Sequence, residues 1–341
     1  MKQEATIVDI AQKAEVSTAT VSRVLNGTGK VREKTKEKVE EAARELNYHP
    51  NIMAKNLSTE HSDVIGVLVS DVRNPFYANI FVQCEKYANE NGFSLLLCNF
   101  LESQELELRY YDMLLAQRVC AIIHIGGSID KCRMDTGFLE RFAEISRRVP
   151  VVTSVKVEGN DSRCVKVDNE RCTRKLMEFL FDMGHEKIAL AGGRDNILST
   201  FEKRKCYREM LLQKKIRYGD CFIAESSTYD EQGGYLAMRE LFTKKKLPTA
   251  VIAINDASAV GVIRAIGEKG LEIGKDISVA SFDNTYITEL MEPELTSVSN
   301  DYYVLCRKII DTAANMIGRK SCSDVLDIPI TLSVRKSCGK I

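Results

Sequence analysis

Residues 6–26 read TIVDIAQKAEVSTATVSRVLN, two short amphipathic segments joined by a turn at residues 15–17. Thr6 is placed to cap the first segment, with Asp9 three residues on in capping-box position. Its apolar residues Ile7, Ile10, Ala11 and Ala14 recur at helical spacing. Ser17 opens the second segment as another N-cap. At about 100° per residue, Val21, Val24 and Leu25 share one face of it. Ala19, Ser22, Arg23 and Asn26 share the opposite face, with Thr18 at its edge. Small polar residues let a helix approach a major groove closely, and one Arg there can be bidentate to guanine. An ordinary surface helix pair carries the same pattern, so the rest of the chain has to decide.

Residues 27–29, Gly-Thr-Gly, form a turn. Residues 32–48 then read as a third helix, with Thr35, Val39, Ala42, Ala43 and Leu46 inward and a solvated, charged outer face. Pro50 breaks that helix. Residues 51–57 are helix-compatible but too short to be stable alone in water. They carry Ala54, Lys55 and Leu57 and run into a polar linker.

From Val64 the texture changes. Unbroken apolar runs at 64–70, 94–99, 121–126, 151–155, 164–168, 187–193, 221–226, 250–255 and 277–283 alternate with helical patterns. The helices read at 76–91, 106–117, 170–183, 231–243 and 257–269. Apolar strands alternating with helices predict parallel, doubly wound sheets covered on both faces. The pattern resets near residues 151–168, which favours two similar lobes over one large sheet. Ligands of such sheets bind beyond the carboxyl ends of the strands. Those ends carry Asp71 and Asn74, Ser128, Asp168 and Asn169, Asn255 and Asp256, Asp283 and Asn284, with Phe76 and Tyr77 beside the first. Carboxylates and amides over an aromatic wall suit a polyhydroxylated ligand. The same Asp and Asn residues also fit as caps of the following helices.

The bulk numbers narrow the classes. With 341 residues the chain should hold two or three units. Lys+Arg and Asp+Glu both number 48, so any phosphate contact must come from local placement of charge. The N-terminus is polar, with no secretory signal, and no apolar run is long enough to span a membrane, so a cytoplasmic location is expected. The eleven Cys form no CxxC or zinc-spaced cluster, and Cys84, Cys98, Cys164, Cys221 and Cys306 read as small buried hydrophobes. There is no GxGxxG after the first strand, no GxxxxGK[ST] and no GxSxG. His49 and His61 fall in the linker, His185 follows Gly184 at a helix end, and His124 lies in a strand, none beside an obvious nucleophile. Neither an enzyme, a cofactor nor a metal is expected.

Together these residues resemble the lactose-repressor (LacI/GalR) family of bacterial transcription regulators over essentially the whole chain. Residues 6–31 resemble the family's N-terminal signature, and Leu46, Tyr48, Pro50, Asn51, Ala54 and Leu57 its hinge. Further landmarks are Asn74-Pro75-Phe76-Tyr77, Asp168-Asn169, Gly184-His185, Asn255-Asp256, Asp283-Asn284, and the stretches 293–298 and 332–337. The resemblance implies an all-α helix-turn-helix domain at 1–49 and a hinge helix and linker at 50–62. It implies a two-lobed periplasmic-binding-protein-like α/β domain at 63–341. Lobe 1 would take about 63–162 and 296–322, and lobe 2 about 163–295 and 323–341.

The implied partners are a pseudo-palindromic double-stranded DNA operator read by a homodimer, and a small-molecule effector between the lobes. Thr18 and Ala19 would face base edges, with Arg23 the strongest base contact. Ser17, Thr20, Ser22 and Asn26 would position the helix on phosphates, with Thr6, Tyr48, Asn51, Ala54 and Lys55 completing the DNA-binding set. The hinge would fold only on DNA, with Leu57 wedging a base step. The effector set implied is Phe76, Tyr77, Tyr229, Asn255, Asp283 and Asn300, with Ser128 and Asp168.

Two departures stand out. Where the family has Arg-x-x-Gly-aromatic, this chain has Lys203-Arg204-Lys205-Cys206-Tyr207, so Lys203 takes the ligand-gripping place, or Arg204 after a one-residue shift. Lys cannot reproduce a bidentate guanidinium grip. Val119-Cys120-Ala121 stands where Val-Asp-Gly is usual. The reading is therefore a repressor of carbohydrate genes with a sugar effector. The alternatives are a nucleobase or phosphorylated effector, a sugar solute-binding protein, or a doubly wound enzyme.

Overall fold

The computed structural model describes residues 5–25, 31–48, 62–217, 222–320 and 328–341. The chain divides into two compact units, Met1–Ser62 and Asp63–Ile341.

The first unit holds α1 (Ile7–Lys13), α2 (Thr18–Leu25) and α3 (Glu33–Glu45). Thr6 and Asp9 close the expected capping box: Thr6 N donates to Asp9 Oδ2 at 2.7 Å and Asp9 N to Thr6 Oγ1 at 3.4 Å. Glu15, at φ +55°, turns the chain between α1 and α2, and Val16 N donates back to Ala11 O at 3.0 Å. Ile10, Ala11, Ala14, Val21, Val39 and Ala42 form the buried centre, with Leu46 and Tyr48 packed against it. The third helix is shorter than its pattern because Asn47 turns left-handed at φ +48°. The expected hinge, with Asn51, Ala54, Lys55 and Leu57, lies outside the described residues, as do Asn26, His49 and His61.

The second unit begins with β1 (Val64–Val69), α4 (Pro75–Glu90), β2 (Ser94–Asn99), α5 (Gln104–Ala116), β3 (Ala121–Ile125), α6 (Thr136–Arg148), β4 (Val151–Thr153) and β5 (Arg163–Cys164). These strands form a parallel sheet in the order β2-β1-β3-β4-β5, with Ile65 opposite both Leu95 and Ala121. There follow α7 (Asn169–Asp182), β6 (Ile188–Ala191), α8 (Leu198–Gln213), β7 (Ile223–Ala224), α9 (Glu231–Leu241), β8 (Ala250–Ala253), α10 (Asp256–Glu268) and β9 (Ser278–Phe282). The chain closes with α11 (Ile287–Leu290), β10 (Thr296–Asn300), α12 (Tyr302–Ile317) and β11 (Ile330–Ser333). The second sheet runs β11-β10-β9-β8-β6-β7, parallel except for β11. Helices cover both faces of each sheet, as the unbroken apolar strands require.

The expected lobe borders need correction. Residues 163–164 pair with β4 and belong to the first sheet. Residues 296–300 pair with β9 and β11 and belong to the second. Of the described part of the 296–322 span, α12 and the residues just past it return to lobe 1, with Leu305, Cys306, Ile309, Ile310 and Ala313 buried against β1, β3 and α4. Beyond Cys164 the 164–168 run leaves the ladder and crosses to lobe 2. α6, α8, α12, β10 and β11 lie outside the runs read from sequence. TSVSN and ITLS alternate hydroxyls with apolar residues, and α8 carries the charged run 202–205.

Cys84, Cys98 and Cys306 are buried, but Cys164 is exposed on the two-residue edge strand β5, and Cys221 lies outside the described residues. Among the described residues no helix is long and apolar enough to cross a membrane.

Candidate DNA-reading face and ligand cleft

α2 carries the candidate reading face. Ser17 Oγ accepts from Thr20 N at 3.1 Å and pairs with Thr20 Oγ1 at 2.9 Å, so these two hydroxyls start the helix. Val21 is fully buried and fixes the helix on α1 and α3. Thr18, Ala19 and Arg23 are exposed, and Thr20 and Ser22 half-buried. No described residue holds the Arg23 guanidinium in an ion pair, so the charge is free to meet a base edge.

In the second unit a small cleft opens between the lobes. Phe76, Cys172, Lys203, Asp283, Asn300 and Tyr302 line it, over a floor of Phe282, Val298 and Leu305. Its free space is about 20 Å³, enough for one water and too little for a sugar ring. Lys203 takes up the room. Its Nζ donates to Ile254 O at 3.0 Å and lies 4.1 Å from the centroid of Phe282, with 7% of the residue exposed. Asp283 is held at φ +96°, an unfavourable backbone for a residue other than Gly. Burial pushes its carboxyl up to about 7, the nearby Lys203 charge opposing and the Asp256 charge adding to the rise. Asn300 Oδ1 accepts from Asp168 N at 3.3 Å and its amide faces Cys172 Sγ at 3.5 Å. Burial also raises the Cys172 thiol to about 12, so it stays protonated.

Other expected ligand residues are engaged elsewhere. Arg204 is wholly buried. Its guanidinium donates to Gly192 O at 3.1 Å, Gly193 O at 3.0 Å and Glu225 Oε1 at 2.6 Å, and also pairs with Asp195. It braces the carboxyl ends of β6 and β7 and does not reach the cleft, because the helical register places it one residue, about 100°, from Lys203. Ser128 Oγ donates to Glu107 Oε2 at 2.6 Å within lobe 1, where Glu107, His124 and Tyr111 form a buried chain. Asp168 caps α7 through Arg171 N at 2.9 Å. Asn255 caps α10 through Ser258 N at 2.8 Å and donates to Tyr229 O at 2.9 Å. The Tyr229 hydroxyl accepts from the Arg194 amide at 3.3 Å and pairs with Thr200 Oγ1 at 2.8 Å, beneath the Arg194 guanidinium. Tyr77 packs beside Phe76, 5.2 Å between centroids, and burial raises its phenol far above the usual range. For Asp168 and Asn255 the capping alternative describes the side chain's actual bonds.

Tyr302, Cys172 and Phe282 are lining residues that the sequence reading missed. Tyr302 had a signal: it stands two places after Asn300 at a strand exit, as Phe76 stands two after Asn74. The two rings meet across the cleft at 6.3 Å, and Tyr302 Oη donates to Asp283 O at 2.8 Å.

Beside the cleft the lobes are latched. Asp130 of lobe 1 accepts from Ser199 N at 3.1 Å and Ser199 Oγ at 2.7 Å. Lys131 forms a β-bridge with Ile197, and Cys132 N donates to Asn196 O at 2.9 Å. Arg194 pairs with Glu102 at 2.9 Å. Burial raises the Asp130 carboxyl to about 6 although both Ser199 bonds favour its charged form.

A helix-turn-helix unit joined in one chain to a two-lobed α/β unit with a cleft between its sheets defines a ligand-responsive DNA-binding regulator. Residues 6–51 match the model of bacterial regulatory proteins of the lacI family, and 177–338 match the periplasmic binding protein-like domain. The chain belongs to the lacI family and is a transcription regulator. It is 30% identical over 337 residues to catabolite control protein A of Priestia megaterium, covering 97% of this chain and 98% of that one. It is 30% identical over 335 residues to the transcriptional repressor PurR of Histophilus somni (strain 129Pt), covering 98% of each. A lac repressor dimer bound to operator and the anti-inducer ONPF superposes with a TM-score of 0.85 at 29% identity, covering 98% of this chain and 99% of that one.

Proposed function

We propose that this chain is a repressor that binds a pseudo-palindromic operator as a homodimer, with 1–49 as reading head, 50–62 as hinge and 63–341 as sensor. Thr18 and Ala19 approach base edges, Arg23 reads guanine, and Ser17, Thr20 and Ser22 set the register on phosphates. The effector enters between Phe76, Tyr302, Asp283 and Asn300, and Lys203 turns from Ile254 O toward it. A neutral polyhydroxylated ligand, a sugar, suits these groups: Asp283 and Asn300 accept and donate to hydroxyls while the two rings cover an apolar face. A phosphorylated effector suits them less, because Arg204 is committed to its own lobe and leaves Lys203 alone, close to Asp283.

One observation carries the proposal: the exposed Arg23, in no ion pair among the described residues, on a helix whose outward face is otherwise small or polar. A band-shift assay on the gene's own promoter tests it. Arg23→Ala should weaken operator binding ten- to a hundredfold, the loss of one bidentate base contact. Equal binding by wild type and variant would remove the reading head from this role. Thermal shift against sugars, sugar phosphates and nucleobases then identifies the effector class, since a bound ligand raises the melting temperature.

A further inference from the structure

The edge of the first sheet opposite the cleft carries a second, larger depression of about 470 Å³. Arg147, Arg148, Arg163, Arg319 and Lys320 surround it, Asp161 is the one acid among the described lining residues, and Val149, Pro150 and Met316 form an apolar floor. The parts come from three places: the last turn of α6, the strand β5 and the chain just past α12. They are held together by the backbone. Asp161 N donates to Ser146 Oγ at 3.2 Å, tying the loop before β5 to α6. Arg319, at φ +52°, turns the chain back so that Lys320 N meets Asn315 O at 2.9 Å.

Leaving aside Lys320, which has a partner of its own, four arginines stand against one carboxylate among the described residues, in a chain whose total is zero. Two helix C-termini point here, and their dipoles offset only about half a charge each. No described carboxylate lies within ion-pair distance of the guanidinium of Arg147, Arg148, Arg163 or Arg319. Four exposed arginines lining a cavity of ligand size suit phosphate, which a guanidinium binds in bidentate fashion.

We propose that this depression binds a small polyanion carrying two or more phosphate groups, with the rest of the ligand over Pro150 and Met316. The site lies beyond the amino-terminal ends of β3 and β4, whereas the cleft lies beyond the carboxyl ends. It is therefore separate from the effector cleft and stands whether or not that cleft binds a sugar.

Sodium tripolyphosphate is the probe, added to the full chain at constant ionic strength. At a hundredfold excess over its Kd it should raise the melting temperature by about 5 °C. The paired change Arg163→Gln, Arg319→Gln, on exposed side chains, should leave the ligand-free melting temperature in place and weaken binding at least tenfold by calorimetry. Lys275→Gln, on the other lobe, should bind like wild type. Absence of any shift in the wild type, or equal binding by the paired variant, overturns the proposal. Anisotropy with a DNA duplex of unrelated sequence separates the two sources of phosphate. A paired variant that loses duplex affinity, in a protein that ignores tripolyphosphate, makes the site a DNA-backbone contact and overturns the small-ligand reading.

Discussion

At the scale of single residues, two neighbours on α8 have opposite fates. Arg204 is buried against two glycine carbonyls and two carboxylates, and Lys203 turns into the cleft. Arg204→Met should therefore destabilise the protein by about 3 kcal/mol, because it strips a buried, paired charge and leaves the Gly192 carbonyl without its partner, while Gly193 O keeps the Ser226 amide. Urea unfolding measures it. Arg204→Lys should recover only part of the loss, since one ammonium cannot serve both carbonyls and carboxylates. Asp283 makes a second prediction. Its folded pKa, about 7, lies above the ordinary carboxylate value of about 3.9, so the folded protein holds the proton more tightly than the unfolded chain. Stability should then fall as pH rises from about 4 to about 7. Asp283→Asn should flatten that part of the pH profile, and an unchanged slope would assign the dependence to other groups.

At the scale of elements, the helix starts carry much of the local order. Asp168 accepts from Arg171 N in the first turn of α7. Asp168→Ala should cost about 1 kcal/mol of stability, as loss of an N-cap does, and leave effector-induced thermal shifts unchanged. A large loss of the shift with little change in stability would instead make Asp168 a ligand contact. Elements of this kind explain what could be read in the sequence. α1 and α2, their caps and the long apolar strands follow from local periodicity, and so were legible. β10 and β11 were not, because alternating Ser and Thr hide strands whose burial comes from neighbours far along the chain. In the cleft, type and spacing pointed to Phe76 and Asp283, and the family resemblance to Asn300. They could not separate Lys203 from Arg204, adjacent in sequence and about 100° apart around a helix. Nor could they separate a capping Asn255 from a ligand-facing one, since both roles use the same residue at the same strand exit.

At the scale of the whole second unit, two lobes meet through a short latch of Asp130, Lys131 and Cys132 against residues 194–199. Ser199→Ala with Arg194→Ala removes the hydroxyl bond to Asp130 and the ion pair to Glu102, and leaves the backbone bonds of the latch. Hydrogen exchange at the Cys132 amide should then speed up by tenfold or more, while exchange in the buried strands β3 and β8 stays as it was. Uniform acceleration would mean general destabilisation in place of lobe separation. The occupied cleft has a consequence of its own. On the proposed reading, an effector entering the cleft competes with a tethered lysine that is already in place, so its apparent affinity is lowered. If the lysine-out form holds about 1% of molecules, the apparent affinity is a hundredfold weaker than the intrinsic one. The position of one ammonium group thus acts as a dose setting, and shortening that side chain would retune the switch to a scarcer signal.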